Sequence, residues 1–177
     1  FGTKYSIKDE FDLLYIANFE KRKNHSLLLR ALSKINIQIR VCFVGSNSVL
    51  KSKIQTLSHS LSGVDFTFME SNLNEEKLIE LYDKSKIYVC PSLYEGFCMP
   101  LLEAMSRNCK LICYNIDIFR EVCGDKAYYF NNEEELAELI NRELLELKGR
   151  QDIPEMDKRH SWEYIANTFI NYINDNY

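Results

Sequence analysis

The chain has 177 residues, 46% of them hydrophobic and 27% charged, with a formal net charge of −4 at pH 7. This composition is typical of a globular domain with a sizeable core, and the 6 Gly and 3 Pro exclude collagen and low-complexity disorder. The acidic balance argues against nucleic acid as a partner, because binding to phosphate backbones needs an excess of positive charge. No apolar run approaches the ~20 residues of a membrane span, so no transmembrane segment is predicted.

Six short segments rich in Val, Ile, Phe and Tyr predict strands. They are residues 12–17, 38–44, 64–69, 86–90, 110–114 and 127–130. Several are apolar nearly throughout, which is typical of strands that are covered on both faces.

Helical periodicity lies between and after these strands. The predicted helices comprise residues 27–32 with Asn24 as N-cap, residues 78–82 after Asn74, residues 136–147, and a final stripe from Trp162 to Ile173 with Ser161 as cap. The alternation of strands and helices predicts an α/β fold with a doubly wound parallel sheet of the Rossmann-like type, as a single domain over residues 1–177.

The six cysteines lie mostly inside apolar runs, as Cys42 does. We therefore expect buried free thiols in a reducing, cytoplasmic compartment rather than disulfides. The spacing Cys109-x3-Cys113 is the only close pair, and the three histidines are scattered, so no metal site is predicted.

The loop after the fourth predicted strand is the most informative stretch. Pro100 suits the first position of a helix, because it has no N–H and a helix-like φ, so a helix is predicted to start there. The backbone N–H groups around that helix start belong to Gly96, Phe97, Cys98 and Met99. They would surround the positive end of the helix, which is a ready site for a phosphate.

Two carboxylates accompany this helix start. Glu103 lies at the end of the first turn, and helical side chains lean back toward the N-terminus, so it can reach a ligand docked there. Together with Glu95 it would repel a phosphate but accept hydrogen bonds from hydroxyls, which a nucleotide sugar offers. The alternative is that each carboxylate simply caps the helix, and that is the better interpretation of an isolated Glu near a helix start.

Lys21-Arg22-Lys23, after the first strand, is the one compact basic cluster outside mixed-charge helices. Such a run is usually a solvated turn. Because ligands bind beyond the carboxyl ends of parallel strands, this loop faces the same crevice as the Glu95 loop. That placement favours a role for Lys23, and then Arg22, in neutralising a diphosphate.

Two further positions at the same edge are weaker candidates. Gly45 ends the second strand, where it permits either close backbone approach to a ligand or a plain turn. Leu73 follows the third strand and packs against a nucleobase or against the core. Walker A, G-x-G-x-x-G and G-x-S-x-G motifs are absent from the sequence. It therefore has no signature of a P-loop NTPase, an ordinary dehydrogenase or an α/β-hydrolase.

The segment PSLYEGFCMPLLEAM, with Glu95-x7-Glu103, resembles the E-x7-E motif of retaining GT-B glycosyltransferases of the group 1 (GT4-like) type. Arg22-Lys23-Asn24 resembles that family's Arg-Lys-Asn segment, and the likeness extends from Asp12 to the C-terminal helix. The resemblance implies the C-terminal half of a GT-B fold, the domain that binds a nucleoside diphosphate sugar.

The resemblance also implies residue roles. Glu103 would bind the ribose hydroxyls, and Glu95 would contact the donor sugar. Arg22 and Lys23 would neutralise the diphosphate leaving group, while backbone amides of residues 97–99 hold the distal phosphate. The catalytic residues are then Glu95, Lys23 and Arg22.

Several positions depart from the family's pattern, among them Ala17-Asn18 and Ser71, which stand where the family commonly has Gly, and two that flank the predicted helix. Cys98 stands where the family most often has Gly, which restricts backbone approach to the phosphate. Asn108 replaces a frequent Gly after the helix, but Asn tolerates the left-handed conformation and a cap still works.

The complete enzyme would transfer a hexose with retention to a saccharide or lipid-linked acceptor in cell-envelope polysaccharide or lipopolysaccharide synthesis. The Arg-Lys-Asn form favours GDP-mannose as donor. The acceptor would bind through an N-terminal domain absent from this chain, so we expect this chain alone to bind donor without transferring sugar. No cofactor or metal is implied, and the expected location is the cytoplasm, with peripheral association at the inner face of the membrane.

Two other functions remain open at this point. One is a GT-B nucleotide-sugar epimerase, against which the spacing of Glu95 and Glu103 with the basic segment favours a transferase. The other is a non-catalytic Rossmann-like interaction module. A receiver-type module would want acidic residues after its first strand, where this chain has Lys21-Arg22-Lys23.

Overall fold

The computed structural model describes residues 10–46, 48–148 and 170, and over this part strands and helices alternate. The elements are β1 (Phe11–Ile16), α1 (His25–Leu32), β2 (Ile39–Val44), α2 (Val49–Ser58), β3 (Val64–Met69), α3 (Glu75–Asp83), β4 (Ser85–Cys90), α4 (Met99–Ser106), β5 (Lys110–Tyr114), α5 (Asp117–Cys123), β6 (Ala127–Phe130) and α6 (Glu133–Lys148). Single 3₁₀ turns precede α1 at Lys21–Lys23 and β6 at Gly124–Lys126.

The strands form one parallel sheet in the order β3-β2-β1-β4-β5-β6. The chain begins in the centre, moves outward to β3, returns to β4 and moves outward again to β6. The predicted doubly wound parallel sheet is confirmed. The point where the strand order reverses lies between β1 and β4, which is where such folds bind ligands.

The predicted strands agree with the observed ones to within one residue at either end. They were recognisable because the central strands are buried on both faces: Leu13, Val41 and Ile87 have no exposed surface and lie side by side in register. The predicted final helix from Trp162 to Ile173 lies, apart from Ile170, outside the described residues.

Helices cover both faces of the sheet through apolar stripes. Leu28 and Leu32 of α1, and Leu136, Ile140 and Leu144 of α6, are almost completely buried. Full burial of one such side chain contributes roughly 1.5–3 kcal/mol before entropy is counted, so these stripes fix the helices on the sheet. No helix in the described part of the chain is both long and apolar enough to cross a membrane.

The two predicted helix starts at Asn24 and Asn74 behave differently, and the third predicted cap, Ser161, lies outside the described residues. The Asn74 side chain accepts a hydrogen bond from the Lys77 backbone N at 2.9 Å, as an N-cap should. Asn24 precedes α1 but makes no side-chain cap, so that prediction is wrong in its mechanism. Its φ is 54°, and its N–H closes the preceding 3₁₀ turn on the Lys21 carbonyl at 3.1 Å. Asn24 therefore ends one helix and starts the next in the left-handed conformation.

The cysteines are free thiols in this part of the chain, and all but Cys98 are buried. The expectation of buried, unpaired cysteines is confirmed. Cys98 is half-buried at the start of α4, where it lies within the candidate site described below.

Candidate functional site

Two loops meet at the carboxyl ends of the central strands. The segment after β1 carries the 3₁₀ turn with Arg22 and Lys23, and the segment after β4 carries Glu95. A backbone hydrogen bond from Leu93 N to the Arg22 carbonyl, 2.8 Å long, joins them. The structure thus brings together the two loops that the sequence placed in one crevice.

Glu95 is the centre of this junction, with only 7% of its side chain exposed. Its Oε1 lies 2.5 Å from Lys23 Nζ, and its Oε2 lies 3.1 Å from Arg22 Nη1. Arg22 also donates through Nε to Glu20 at 2.8 Å. The three residues predicted to be catalytic are therefore in direct contact, a carboxylate between two cations.

A buried hydroxyl pair supports this cluster from below. Tyr15 OH, on β1, donates to the Lys23 carbonyl at 2.8 Å and lies 3.0 Å from Ser92 Oγ. Burial raises the pKa of Tyr15 well above its usual value, so the phenol stays protonated and can donate. Neither residue was predicted: Tyr15 stands in an apolar strand, and the only available signal was a Ser following Pro91.

The start of α4 has unusual backbone geometry. The helix begins at Met99, one residue earlier than the predicted start at Pro100, so Pro100 is its second residue. Its N-cap is Cys98, with φ 71° and ψ 69° in the left-handed region. A Cβ added at Gly96 would meet no atom within 4 Å, so the loop is open there. The positive end of α4 is consequently accessible beside Glu95.

Glu103 lies one turn into α4, away from the Glu95 cluster. Its Oε2 accepts a hydrogen bond from Tyr82 OH at 2.7 Å. Burial, followed by the negative charge of Glu103, raises the pKa of Tyr82 well above its usual value, so the phenol remains a donor and orients the carboxylate. The sequence had assigned Tyr82 only to an apolar helical face, which gave no signal of this contact.

Gly45 and Leu73 both pack against other parts of the domain. A Cβ on Gly45 would lie 2.2 Å from the Ala17 carbonyl oxygen, so the close approach that requires glycine comes from the end of β1. Leu73 is half-buried against the core. Their predicted contacts with a nucleotide stay predictions, as do the donor contacts of Gly96, Phe97, Cys98, Met99 and Glu103.

Cys90 and Cys98 lie close together beneath Glu95. Their sulfur atoms are 3.9 Å apart, and a Glu95 carboxylate oxygen lies within 4.8 Å of both. The hydrogen bond with Cys90, reinforced by burial, raises the pKa of Cys98. Cysteine spacing in the sequence had singled out a different pair, Cys109 and Cys113, because the loop that brings Cys90 to Cys98 has no spacing signature.

A Rossmann-like sheet with an E-x7-E helix at its switch point and a basic turn opposite defines the class of GT-B glycosyltransferase domains. The model of the family described as "Glycosyl transferases group 1" matches residues 3–166, and the chain belongs to that family.

Similar proteins include two mannosyltransferases of Escherichia coli. The chain is 36% identical over 135 residues to the serotype-specific mannosyltransferase WbdA of Escherichia coli, covering 72% of this chain and 16% of WbdA. It is 30% identical over 126 residues to the O-antigen chain mannosyltransferase B of Escherichia coli, covering 69% of this chain and 33% of that protein. The chain thus spans between about a sixth and a third of the length of these relatives.

Solved structures share the fold at low sequence identity. The catalytic domain of cholesterol-α-glucosyltransferase from Helicobacter pylori superposes with a TM-score of 0.69 and 21% identity, over 94% of this chain and 99% of that one. Anabaena Alr3699/HepE, solved in complex with UDP-glucose, gives a TM-score of 0.70 and 14% identity, over 93% of this chain and 48% of that one.

Proposed function

We propose that this domain binds a nucleoside diphosphate sugar at the carboxyl edge of β1 and β4. Together with a second domain in the complete protein, it transfers a hexose with retention to a saccharide or lipid-linked acceptor in cell-envelope polysaccharide synthesis. The observation that carries the proposal is the contact of Glu95 with both Lys23 and Arg22, beside the accessible start of α4.

The electrostatics of this cluster suit the departure of a diphosphate. Breaking the bond between the sugar and the phosphate leaves negative charge on the diphosphate and positive charge on the sugar. Lys23 and Arg22, with the positive end of α4, stabilise the first, and the Glu95 carboxylate stabilises the second. The Tyr15 hydroxyl, bonded to the Lys23 carbonyl, fixes the backbone of the basic turn before substrate arrives.

Glu103 supplies the other end of the donor site. Its carboxylate is oriented by Tyr82 and keeps further lone pairs for ribose hydroxyls, because one carboxylate accepts several hydrogen bonds. The distance along α4 between this carboxylate and the Glu95 loop leaves the helix start between them for the diphosphate.

Mannose from GDP-mannose is the sugar we propose. It is supported by the mannosyltransferase names of relatives that are at least 30% identical to this chain. A lipid-linked acceptor is supported by a relative from Campylobacter jejuni, 27% identical over 132 residues, whose name contains a diphospho-undecaprenol. Work on such acceptors would place the complete protein in the cytoplasm, at the inner face of the membrane.

The test is donor binding by calorimetry with GDP-mannose, UDP-glucose and ADP-glucose. We expect GDP-mannose to bind most tightly and Glu103→Gln to weaken it by roughly ten-fold, because a charge-assisted hydrogen bond is worth about 1.5–3 kcal/mol. Glu80→Gln is the matched control, since Glu80 is a carboxylate on α3 that forms salt bridges with Lys77 and Lys84.

Three results are informative. Binding of another nucleotide sugar in preference would replace the donor assignment but keep the class. Affinity unchanged by Glu103→Gln would make that residue a capping and Tyr82-binding group. Absence of binding to every nucleotide sugar would overturn the proposed function.

A further inference from the structure

Two cysteines bracket the loop that carries Glu95. Cys90 is the last residue of β4, Cys98 is the N-cap of α4, and seven residues lie between them. The two thiols approach to 3.9 Å, and a carboxylate oxygen of Glu95 lies within 4.8 Å of both sulfurs. The loop is therefore closed at its base by two sulfur atoms, with an oxygen ligand above them.

These distances suit a small thiophilic cation. In a tetrahedral zinc site the bond lengths put two sulfurs about 3.8 Å apart and a sulfur about 3.6 Å from a carboxylate oxygen. The sulfur atoms already stand at 3.9 Å. The carboxylate must move toward them by about 1.2 Å at most, a change that rotation of the Glu95 side chain provides.

We propose that Cys90, Cys98 and Glu95 form a binding site for a thiophilic divalent cation of the Zn²⁺ or Cd²⁺ class. The fourth position is left for water, on the side where Gly96 leaves open space. When the two metal–sulfur bonds form, the two thiol protons pass to solvent. No oxidant or reductant takes part.

Charge and burial support this set of ligands. Two thiolates and one carboxylate are balanced by a divalent cation together with the ammonium of Lys23, which already lies 2.5 Å from Glu95. Cys90 is 1% exposed and the Glu95 side chain 7%, so the metal–ligand bonds would be shielded from water. Half-buried Cys98 provides the route of entry.

A second thiol pair in the chain shows what is special here. Burial and then the neighbouring Cys123 thiol raise the pKa of Cys113, yet no carboxylate or imidazole in the described part of the chain completes a group of three ligands with these two thiols. Within residues 10–46 and 48–148, Cys90, Cys98 and Glu95 are the one group of three potential ligands. The carboxylate, rather than the proximity of two thiols, distinguishes a cation site.

Occupancy has a consequence that rests on the proposed function. A bound cation would draw Glu95 toward the sulfurs and occupy the space beside the start of α4. A nucleoside diphosphate sugar needs the same carboxylate and the same helix end. Cation and donor should therefore exclude each other, and a saturating cation should weaken donor affinity at least ten-fold until a chelator removes it.

The first experiment uses Cd²⁺ alone on the reduced chain. We expect one ion per chain, detected by the ultraviolet charge-transfer band between thiolates and cadmium and by calorimetry. Cys98→Gly should remove the band while keeping the fold, because glycine suits the left-handed conformation at this position. Cys90→Ala should also remove it. Cys123→Ala, which breaks the other pair, should keep it.

The outcomes separate cleanly. No band in the wild-type chain, or a full band in Cys98→Gly, overturns the site. If only Cys123→Ala loses the band, Cd²⁺ binds the other cysteine pair, and the proposed site is also overturned. The donor arm is independent: if Cd²⁺ binds but donor affinity does not change, the exclusion is overturned and the cation site stands. If no donor binds in the absence of metal, the proposed function fails and the band still decides the site.

Discussion

Two buried carboxylates lie at opposite ends of the same central strands, and each contacts one lysine and one arginine. At the amino end, Asp12 of β1 accepts from Lys86 Nζ at 2.8 Å and from Arg40 Nε at 3.3 Å. At the carboxyl end, Glu95 has Lys23 and Arg22 as partners. Their side-chain exposures are similar, 11% for Asp12 and 7% for Glu95.

The surroundings of the two carboxylates differ. Arg40 and Lys86 occupy the register positions beside Asp12 on β2 and β4, and the Arg40 backbone N also donates to Asp12 at 2.8 Å. The partners of Glu95 lie on loops, next to a helix start and an opening at Gly96. A carboxylate with one lysine and one arginine is thus part of the sheet at Asp12, whereas the equivalent set at Glu95 is accessible to a ligand.

The largest expected effect is on catalysis. In the complete protein, Lys23→Ala should lower kcat by about 100-fold or more while changing donor affinity less, because in the proposed function Lys23 meets charge that grows as the diphosphate leaves. Lys86→Ala is the matched control: it removes a lysine from a buried carboxylate at the other end of the strands. We expect it to reduce stability but keep turnover.

Steady-state kinetics with donor titration checks this prediction. If donor affinity falls while kcat stays unchanged, Lys23 binds ground state and transition state alike. Wild-type kinetics in Lys23→Ala would remove it from the catalytic residues and make the two ends of the strands equivalent.

The second prediction concerns stability, for which we expect the larger effect at the Asp12 end rather than at the Glu95 end. Asp12→Asn should lower the free energy of unfolding by about 2 kcal/mol, because hydrogen bonds to a charged group are lost in the sheet. Glu95→Gln should cost less than Asp12→Asn, since Arg22 keeps Glu20 and the partners of Glu95 lie on loops rather than within the sheet. Urea unfolding of both variants measures the difference. Equal losses would mean that Glu95 is a structural residue like Asp12.

The fold and the contact of Glu95 with the basic turn could be predicted from the sequence for physical reasons. Strands buried on both faces leave continuous apolar runs, and parallel strands place the loops after β1 and β4 at one edge, so Lys23 and Glu95 had to be neighbours. The support of the cluster could not be predicted. The contacts between Tyr15 and Ser92 and between Tyr82 and Glu103 join side chains distant in sequence, and an aromatic residue in an apolar run looks like core.

Asn24 and the cysteine pair show the same limit. Asn favours both a side-chain cap and the left-handed conformation, and only the preceding 3₁₀ turn decides between them. Cys90 and Cys98 approach each other because the loop between β4 and α4 brings its two ends together. The spacing of these cysteines in the sequence does not indicate that conformation.

The third prediction uses the pH dependence of stability to distinguish the carboxyl ends of the strands, where His25 lies, from the amino ends, where Asp12 lies. His25, 1% exposed, lies between the rings of Tyr15 and Phe19, and neither of its ring nitrogens has a hydrogen-bond partner in the described structure. Burial, with the nearby charge of Lys23, lowers its pKa from 6.5 to about 3. The unfolded chain therefore takes up a proton that the folded chain refuses, and stability should fall by about 1.4 kcal/mol per pH unit as the pH drops below 6.5 toward 3.

Asp12 affects stability at lower pH than His25 does, and it acts through a carboxylate that loses its charge when it takes up a proton. Burial would raise its pKa, but hydrogen bonds from Lys86 and Arg40 outweigh burial and hold the pKa below its usual value. Its contribution is present above a pH of about 4 and is lost as the pH falls through its lowered pKa. In urea unfolding across pH, His25→Phe should flatten the profile between pH 6.5 and 4, and Asp12→Asn only the part below. An unchanged profile in His25→Phe, with exposed His59→Gln as control, would contradict the assignment.

The smallest effect tests backbone strain, which is also unevenly placed. Among the described residues other than glycine, Asn24, Cys98 and Asn108 have positive φ. Two of these three lie in the loops around Glu95, and Asn108 lies in the turn before β5, at the amino edge of the sheet. Asparagine adopts this conformation readily, but cysteine does not, and a residue with a Cβ there costs about 1–2 kcal/mol. Cys98→Gly relieves that cost but adds freedom to the unfolded chain, so the net gain in stability should be about 0.5 kcal/mol.

Cys98→Ala separates the backbone from the thiol. Alanine keeps the Cβ and its strain but loses the contact with Cys90, so it should gain nothing, whereas glycine should gain stability and also let the backbone approach a phosphate more closely. The same pair of variants in donor calorimetry should therefore rank glycine above both cysteine and alanine. If alanine and glycine stabilise equally, the thiol was the unfavourable group and the φ of 71° carries no strain. If neither variant changes stability or donor affinity, Cys98 is a neutral replacement for glycine, and the strain at the Glu95 end plays no part in distinguishing it from the Asp12 end.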